Sequence, residues 1–195
     1  WQRSATELWA AGDGGSVWRR INGKWTVLDP AGARPDQHAY SIASDGSGGA
    51  WVVGDNLIKR CEPARCASFE NPFEIDLFPL VGTWALSRKS AYAVMGIPKG
   101  SSYDDNQDKA PALAAWNGKT WQTLETTGLL PWMLGVTATD PDDVWALGVE
   151  GFLIHFDGRT WERSRLAATD LSHIVATDGV VRVFGDHGRV FKRAR

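Results

Sequence analysis

The chain has 195 residues, with 21 basic and 23 acidic side chains and a formal net charge of −2. This balance gives no overall attraction to nucleic acid or to anionic lipid, so neither is expected as a partner. With 43% hydrophobic residues and no apolar run of ~20 residues, the chain is expected to form a globular domain without a membrane span.

The most prominent feature of the sequence is an apolar run that ends in glycine and occurs five times. It reads ELWAAG, AWVVG, AYAVMG, DVWALG and VRVFG. The runs follow one another at about 40 residues, except where the polar insertion at residues 98–111 lengthens one step. A period near 40 with β-branched and aromatic runs, and without helical spacing, is typical of β-propeller blades. The residues taken as anchors of the runs are Trp9, Trp51, Tyr92, Trp145 and Val183.

In chain order, each repeat resolves into four predicted strands, A to D. Strand A precedes the anchor, as in WALS and IVAT, and strand B is the anchor run itself. Strand C follows a glycine-rich turn, as in SVWRRI and FLIHF, and strand D follows Asn-Gly or Asp-Gly in INGKW, WNGKTW and FDGRTW. We therefore predict an all-β fold, a single β-propeller domain of about five four-stranded blades, at residues 1–36, 37–78, 79–128, 129–168 and 169–195.

Two repeats depart from this pattern. The second has CEPARC in place of the N-G-x-W turn, and the fifth ends after its strand C. Because a propeller avoids open edges by closing its ring, we expect a strand from before Trp1 to complete the last blade. The chain would then be the C-terminal part of a longer one. A three-stranded last blade and a ring of more blades are the alternatives.

The pattern V-W-A-x-G, Gly-rich turn, strand, aromatic-[DN]-G-x-x-W resembles the repeats of secreted bacterial β-propellers. It is also similar to photosystem assembly-factor propellers and, more loosely, to the Asp-box repeats of sialidase-type propellers. The resemblance spans nearly the whole chain. It implies a secreted, periplasmic or cell-surface location, and it implies blades rather than an activity.

Cys61 and Cys66 flank the unusual turn of the second repeat and could close a small disulfide loop or remain free thiols. The resemblance to secreted proteins favours the disulfide. No second Cys or His pair has zinc-ligand spacing, and the run DDNQD has Lys109 and Ala115 where a calcium loop needs Gly and Glu. No metal or cofactor is therefore expected.

No arrangement of residues requires catalysis. The glycine-rich GDGG and GDHG segments lie between predicted strands and are read as hairpin turns rather than phosphate loops. No serine lies in a G-x-S-x-G context, and His155 is expected to be a packed, hydrogen-bonded side chain. We favour a non-catalytic binding or scaffold propeller. A glycoside hydrolase or lyase, and an assembly factor for a larger complex, are the alternatives.

One face of the ring is the candidate binding surface. The B–C turns and D–A connections of an up-and-down blade share a face, and here they carry many more acidic than basic residues. This predicts a protein or glycan partner, basic in character; a face that only keeps the protein soluble is the alternative. The candidate binding residues are Asp13, Asp55, Tyr103, Asp104, Asp105, Asp108, Glu150, Asp186 and His187.

The 11 tryptophans raise the question of sugar stacking. Those that recur at the anchor or in strand D, including Trp25, Trp121 and Trp161, are expected to pack between blades because large aromatic side chains dominate buried area. Trp18, Trp116 and Trp132 do not recur in every blade, so they are the candidates for exposure.

Overall fold

The computed structural model describes residues 2–4, 6–29, 34–73, 78–96, 112–126, 132–167, 171–177, 180–185 and 188–194. These residues form strands grouped in five sheets, which we call blades 1 to 5. Blade 1 contains β1 (Gln2–Ser4), β2 (Glu7–Ala11), β3 (Val17–Ile21) and β4 (Lys24–Val27). Blade 2 contains β5 (Ala39–Ser44), β6 (Ala50–Gly54), β7 (Leu57–Glu62) and β8 (Arg65–Ser68). Blade 3 contains β9 (Leu80–Ser87), β10 (Ser90–Met95), β11 (Leu113–Trp116) and β12 (Trp121–Thr123). Blade 4 contains β13 (Met133–Asp140), β14 (Asp143–Gly148), β15 (Phe152–Phe156) and β16 (Trp161–Arg165), and blade 5 contains β17 (Leu171–Thr177), β18 (Val180–Gly185) and β19 (Val190–Ala194).

Every blade is an antiparallel meander in which strands pair in chain order. The first strands of blades 2 to 5 contact one another in sequence, β5 with β9, β9 with β13 and β13 with β17, so they are the inner strands. Blade 1 joins this row through contacts of β2 with β5. The predicted fold class is confirmed: the chain is an all-β propeller, and its last blade has three strands in the described part of the chain.

The hairpin turns follow from local sequence. Asn22 and Gly23, between β3 and β4, both have positive φ, 47° and 88°, as a two-residue primed turn requires. In the corresponding loop of blade 4, the Asp157 carboxylate accepts hydrogen bonds from the backbone N–H groups of Arg159 and Thr160 at 2.9 and 2.8 Å. These two hydrogen bonds lower the pKa of Asp157 below its usual value. The side chain therefore acts as the acceptor that fixes the turn.

Each anchor points toward the next blade. Trp9 packs with Val52 and Leu57 of blade 2, and Trp145 packs in the cluster that blade 4 forms with blade 5. The fifth anchor assigned from the sequence was wrong by one residue, since Val183 is buried against blade 4. In the pairing register of the first two strands, Arg182 of blade 5 has the same position as Trp145 of blade 4. An arginine therefore occupies the anchor position of blade 5.

Glycines let the inner strands approach closely. A Cβ atom on Gly82 of β9 would lie 3.0 Å from the Cα atom of Gly135 in β13 and 2.8 Å from the Val94 side chain. A Cβ atom on Gly135 would in turn lie 3.3 Å from the Ile174 side chain of β17. Small residues at these two positions therefore set the spacing of the blades near the axis.

The predicted disulfide is present. Cys61 and Cys66 are bonded and lie directly opposite each other in the register of β7 and β8. Cys61 is fully buried, in the cluster between blades 1 and 2. The bond thus closes the hairpin of blade 2, where blades 1, 3 and 4 have Asn-Gly or Asp-Gly turns.

Candidate binding face

Three of the predicted binding residues lie in the described part of the chain, namely Asp13, Asp55 and Glu150. The others lie outside the described residues: Tyr103, Asp104, Asp105, Asp108, Asp186 and His187. The binding role of the whole set therefore stays a prediction, and geometry is given for Asp13, Asp55 and Glu150 alone.

Asp13 lies in the turn between β2 and β3, next to the connection from β4 to β5. Its Oδ1 atom is 2.9 Å from Nδ1 of His38, and the two residues also form a β-bridge through their backbones. The Asp13 side chain is 95% exposed and that of His38 is 45% exposed. The hydrogen bond to Asp13 is the largest influence on His38 and raises the pKa of its imidazole above 6.5. Asp13 is thus an open carboxylate paired with a titratable neighbour.

Asp55 lies in the corresponding turn of blade 2. The hydroxyl of Tyr40 donates to Asp55 Oδ2 at 3.3 Å, and the Tyr40 side chain remains 46% exposed. Desolvation, followed by the charge of Asp55, raises the pKa of Tyr40 above its usual value. The rings of His38 and Tyr40 have centroids 6.5 Å apart. We call these four side chains, Asp13, His38, Tyr40 and Asp55, the acid–aromatic cluster.

Backbone hydrogen bonds hold the end of the connection, at His38, and the start of β5, which carries Tyr40. The N–H of Ala39 donates to the carbonyl of Gly12 at 3.2 Å, and that of Asp55 donates to the carbonyl of His38 at 2.9 Å. A Cβ atom on Gly54 would lie 1.8 Å from the same His38 carbonyl oxygen, so only glycine permits this approach. The acid–aromatic cluster is therefore fixed by the backbones of two blades.

Glu150 is not part of this cluster. It lies in the turn between β14 and β15 of blade 4, where its backbone has a positive φ of 56°. The carbonyl of Glu150 accepts a hydrogen bond from Nε of Arg165 at 3.1 Å. The predicted site thus separates into different blades, with Asp13 and Asp55 together and Glu150 apart.

Sequence reasoning missed two members of the cluster. His38 directly precedes strand A of blade 2 and Tyr40 is the second residue of that strand, and no motif distinguishes them. A signal was present in their position, because a D–A connection shares its face with the acidic B–C turns on either side. Pairing each connection with its two neighbouring turns would have identified both residues.

A second group of polar residues supports the anchors from inside the blades. In blade 4, Asp143 Oδ1 accepts from the indole N–H of Trp145 at 2.9 Å and lies 2.9 Å from Nε2 of His155. The imidazole of His155 stacks on Trp145 with centroids 3.7 Å apart. His155 is thus packed and hydrogen-bonded, as expected. These groups bond one another beneath the surface and form a side-chain network that supports the anchor.

Blade 1 repeats this network with other residue types. Glu7 Oε1 accepts from the indole N–H of Trp9 at 3.1 Å and from Nε of Arg19 at 2.9 Å. Blade 2 differs, because Gly49 stands at the position of the acid. There Asp45, from the preceding loop, accepts from Nε and Nη2 of Arg60 at 2.9 and 2.5 Å. Blades 1, 2 and 4 therefore each have an acid and a base beside the anchor, which the sequence pattern did not reveal.

The exposure of the tryptophans differs from expectation at three positions. Trp116 and Trp132 are buried, because Trp116 packs against Trp51 and Phe69 while Trp132 packs against Phe78. Trp25 is 45% exposed rather than packed between blades, since it lies on the face of β4 opposite to the face that covers blade 2. Trp18, as expected, is exposed.

In the described ranges, no three His, Cys, Asp or Glu side chains converge so that they could hold a metal ion. No helix of the described residues is long and apolar enough to cross a membrane.

Comparison with known proteins is informative at the level of structure. No family model and no curated protein matches the sequence. Among solved structures, YCF48 bound to a D1 peptide superposes with a TM-score of 0.63 at 17% identity, over 97% of this chain and 62% of that one. A nidogen/laminin complex superposes with a TM-score of 0.61 at 13% identity, over 89% of this chain and 66% of that one. The designed protein Ika8 superposes with a TM-score of 0.70 at 11% identity, over 100% of this chain and 57% of that one. The chain thus spans about three-fifths of the length of the structures it matches. At such low identity the similarity shows the fold, and that fold is the β-propeller.

Proposed function

We propose that the chain is a non-catalytic, protein-binding propeller whose acid–aromatic cluster binds a basic segment of its partner. The observation that carries this proposal is the exposed Tyr40 ring on the first strand of blade 2, with its hydroxyl bonded to Asp55 and its neighbour His38 paired with Asp13 of blade 1. A lysine or arginine side chain could lie against the ring and pair with a carboxylate at the same time. An open aromatic ring flanked by acids fits a cationic side chain better than an anion.

Two further findings support the class of partner and the location. One superposed structure is solved with a bound peptide and another is a complex of two proteins, so comparable folds present surfaces to polypeptides. The Cys61–Cys66 disulfide fits an oxidising compartment, as a secreted, periplasmic or cell-surface protein would meet. A scaffold or assembly role for the propeller, with a protein rather than a glycan as partner, follows from the same proposal.

Binding to charged peptides tests the proposal. A fluorescently labelled peptide rich in lysine and arginine is expected to bind with an affinity that falls as salt rises, and an acidic peptide of equal length is not. The double variant Asp13→Asn/Asp55→Asn should weaken binding of the basic peptide by about tenfold or more. Glu162→Gln, which removes an exposed carboxylate from the outer strand of blade 4, is the matched control and should leave binding unchanged.

Two results would overturn the proposal. One is an equal affinity of the wild type and the double variant for the basic peptide. The other is the selection of neutral oligosaccharides, with no basic peptide bound, when the chain is screened against glycan and peptide libraries. That second result would favour a glycan as the partner.

A further inference from the structure

Two arginines lie on one face of the outer strand of blade 4. The register of β15 and β16 places Arg165 directly opposite Phe152 and Arg163 directly opposite Ile154. Residues that are opposite in an antiparallel pair share a face of the sheet, so both arginines lie on the face that carries Phe152 and Ile154. Ile154 belongs to the core cluster that blades 3 and 4 share, and Phe152 packs against that cluster. The two arginines therefore lie at the rim of the interface between two four-stranded blades.

One aromatic ring brings the two positive charges together. The Cζ atom of Arg163 lies 3.8 Å from the centroid of the Phe152 ring, and that of Arg165 lies 5.2 Å from the same centroid. Both distances are within the range of a cation–π interaction. The Nε atom of Arg165 also donates to the carbonyls of Glu150 and Ala167 at 3.1 and 3.2 Å. The ring and the carbonyls thus hold both guanidinium groups, and these contacts leave the two terminal nitrogens of Arg165 for other acceptors.

No acid neutralises the two arginines in the described part of the chain. The ion pairs of the described residues include neither Arg163 nor Arg165. The acidic residue of β16, Glu162, lies on the other face of the sheet, opposite His155. Both arginines are exposed. Because two like charges near one ring repel each other, an anion bound to both would lower the electrostatic free energy of the folded chain.

The number and shape of the donors indicate which anion fits. Each guanidinium presents a planar fork of N–H donors that matches two oxygens of a carboxylate or a phosphate. A carboxylate has two oxygens and a single charge, so it pairs fully with one guanidinium. A phosphate monoester has three acceptor oxygens and a charge of about −1.5 to −2 at pH 7, so it can pair with both. Two guanidinium groups beside one ring therefore fit a phosphate better than a carboxylate.

We infer that Arg163 and Arg165 form a binding site for a phosphate group, either as the free ion or as a monoester. Both guanidinium groups donate N–H hydrogen bonds to the phosphate oxygens, and the Phe152 ring positions the guanidinium of Arg163. The site is separate from the acid–aromatic cluster, whose residues belong to blades 1 and 2 and to the connection between them and which favours cations. It therefore does not depend on the proposed function.

Titration of the full 195-residue chain at constant ionic strength is the direct test, followed by NMR of the arginine Nε–H signals. Inorganic phosphate and phenyl phosphate are the two ligands, and acetate is the carboxylate control. We expect one saturable phosphate site that shifts the signals of Arg163 and Arg165, with at least about tenfold weaker binding of acetate. Tighter binding of phenyl phosphate would identify a monoester as the ligand, and tighter binding of inorganic phosphate the free ion; both results support the site.

Three variants separate recognition by a guanidinium from general attraction by charge. Arg163→Gln removes one charge and its hydrogen bonds, so it should weaken phosphate binding by about tenfold or more. Arg163→Lys keeps the charge but loses the planar fork, so it should also bind phosphate more weakly than the wild type. Arg159→Gln, which removes an exposed arginine from the turn between β15 and β16, is the matched control and should leave binding unchanged. Thermal unfolding without phosphate verifies that each variant is folded.

Three outcomes would overturn the inference. The first is the absence of saturable phosphate binding, or binding that shifts other arginine signals but not those of Arg163 and Arg165. The second is an affinity that Arg163→Lys leaves unchanged, or that Arg159→Gln lowers as much as Arg163→Gln does, because charge alone would then account for the binding. The third is equal affinity for acetate and phosphate.

Discussion

Blades 2 and 4 place the same kind of group beside a buried tryptophan but take it from different parts of the sequence. In blade 4 the acid is Asp143, two residues before its anchor and on the same strand. In blade 2 that position is Gly49, and the carboxylate comes from Asp45 in the preceding loop. A Cβ atom on Gly49 would lie 2.6 Å from Nη2 of Arg60, so the side chain of Arg60 fills the space that a residue at this position would need.

The two carboxylates also differ in the groups that they bond. Asp143 accepts hydrogen bonds from the indole of Trp145 and the hydroxyl of Thr139 and pairs with the imidazole of His155, whereas Asp45 bonds a guanidinium that is always charged. In return, the indole N–H of Trp51 has no hydrogen-bond partner in the described structure. Blade 2 therefore depends on a buried carboxylate–guanidinium ion pair, and blade 4 on hydrogen bonds of Asp143 with an indole, a hydroxyl and an imidazole. Removal of the acidic side chain beside the anchor is therefore expected to lower the free energy of unfolding by different amounts in different blades.

The largest effect is expected for Asp45→Ala. The change removes the acceptor of two hydrogen bonds from Arg60 and of those from Ser47 and Gly49. Breaking a buried ion pair by removing one partner costs about 3–5 kcal/mol. Glu62, which also bonds Arg60 at 2.6 Å, should hold the cost near the lower end. Denaturant unfolding followed by tryptophan fluorescence measures the loss of unfolding free energy. A smaller loss for Asp45→Ala than for Asp143→Ala would contradict the expected order of the two effects.

The same carboxylate gives blade 2 a dependence on pH. Burial alone would raise the pKa of Asp45, but hydrogen bonds from Ser47 and Arg60 outweigh it and hold the pKa below 3.8. A lowered pKa in the folded state contributes stability above the unfolded-state value, and that stability is lost as pH falls through the folded value. Unfolding free energies measured from pH 6 down to about pH 2 should fall more steeply for the wild type than for Asp45→Asn. Parallel curves would assign the acid sensitivity to other carboxylates.

Asp143→Ala should have a smaller effect. The indole N–H of Trp145 and the ring of His155 would lose their common acceptor, and each buried group without a partner costs about 1–3 kcal/mol. Because both rings remain stacked, part of the packing should survive. The same denaturant experiment measures the loss. An effect larger than that of Asp45→Ala would show that the hydrogen bonds of Asp143 contribute more to stability than the Asp45–Arg60 ion pair.

Loss of the disulfide is expected to cost about 2 kcal/mol, because the bond closes only a short loop in the unfolded chain. The double variant Cys61→Ala/Cys66→Ala would leave the hairpin of blade 2 to its two-residue turn and its strand pairing. Thermal unfolding of this variant, compared with the wild type with and without reductant, measures the effect. If reductant lowers the melting temperature of the variant as much as that of the wild type, the disulfide is not the cause.

The smallest effect concerns the exposed counterpart of the Asp143–His155 pair. Asp13 and His38 are also 2.9 Å apart but lie at the surface. Asp13 raises the pKa of His38 above 6.5, so His38 gains its proton as pH falls through that range and offsets the carboxylate charge. Binding of the basic peptide should therefore be weaker at pH 5.5 than at pH 8, and His38→Gln should flatten this dependence. An unchanged pH profile in the variant would place the dependence elsewhere.

The fold was predictable because its signals are local. Asn22-Gly23 and Asp157-Gly158 specify hairpins within a few residues, and the anchor runs repeat at a regular period. The anchor of blade 5 was misassigned because Arg182 stands between two buried valines, so hydrophobicity alone favoured Val183. Register with strand A, which only the structure supplies, resolves the choice.

The candidate site was predictable only in part, because its contacts connect distant residues. Asp13 and His38 are 25 positions apart, and Tyr40 and Asp55 are 15 apart. An acid in a turn is visible in the sequence, but the side chain beside it depends on how a connection lies across two blades. The burial of Trp116 and Trp132 was missed for a similar reason, since neighbouring rings from other strands cover them.

Gly82 and Gly135 have a consequence for the number of blades in a ring. They let consecutive inner strands lie close together, so each blade is narrow at the axis and wide at its rim. The angle of that wedge determines how many blades complete a full turn. Larger side chains at these two positions would widen the inner end, reduce the angle and favour a ring with more blades. The volume of a few side chains next to the axis is therefore expected to influence the circumference of the propeller.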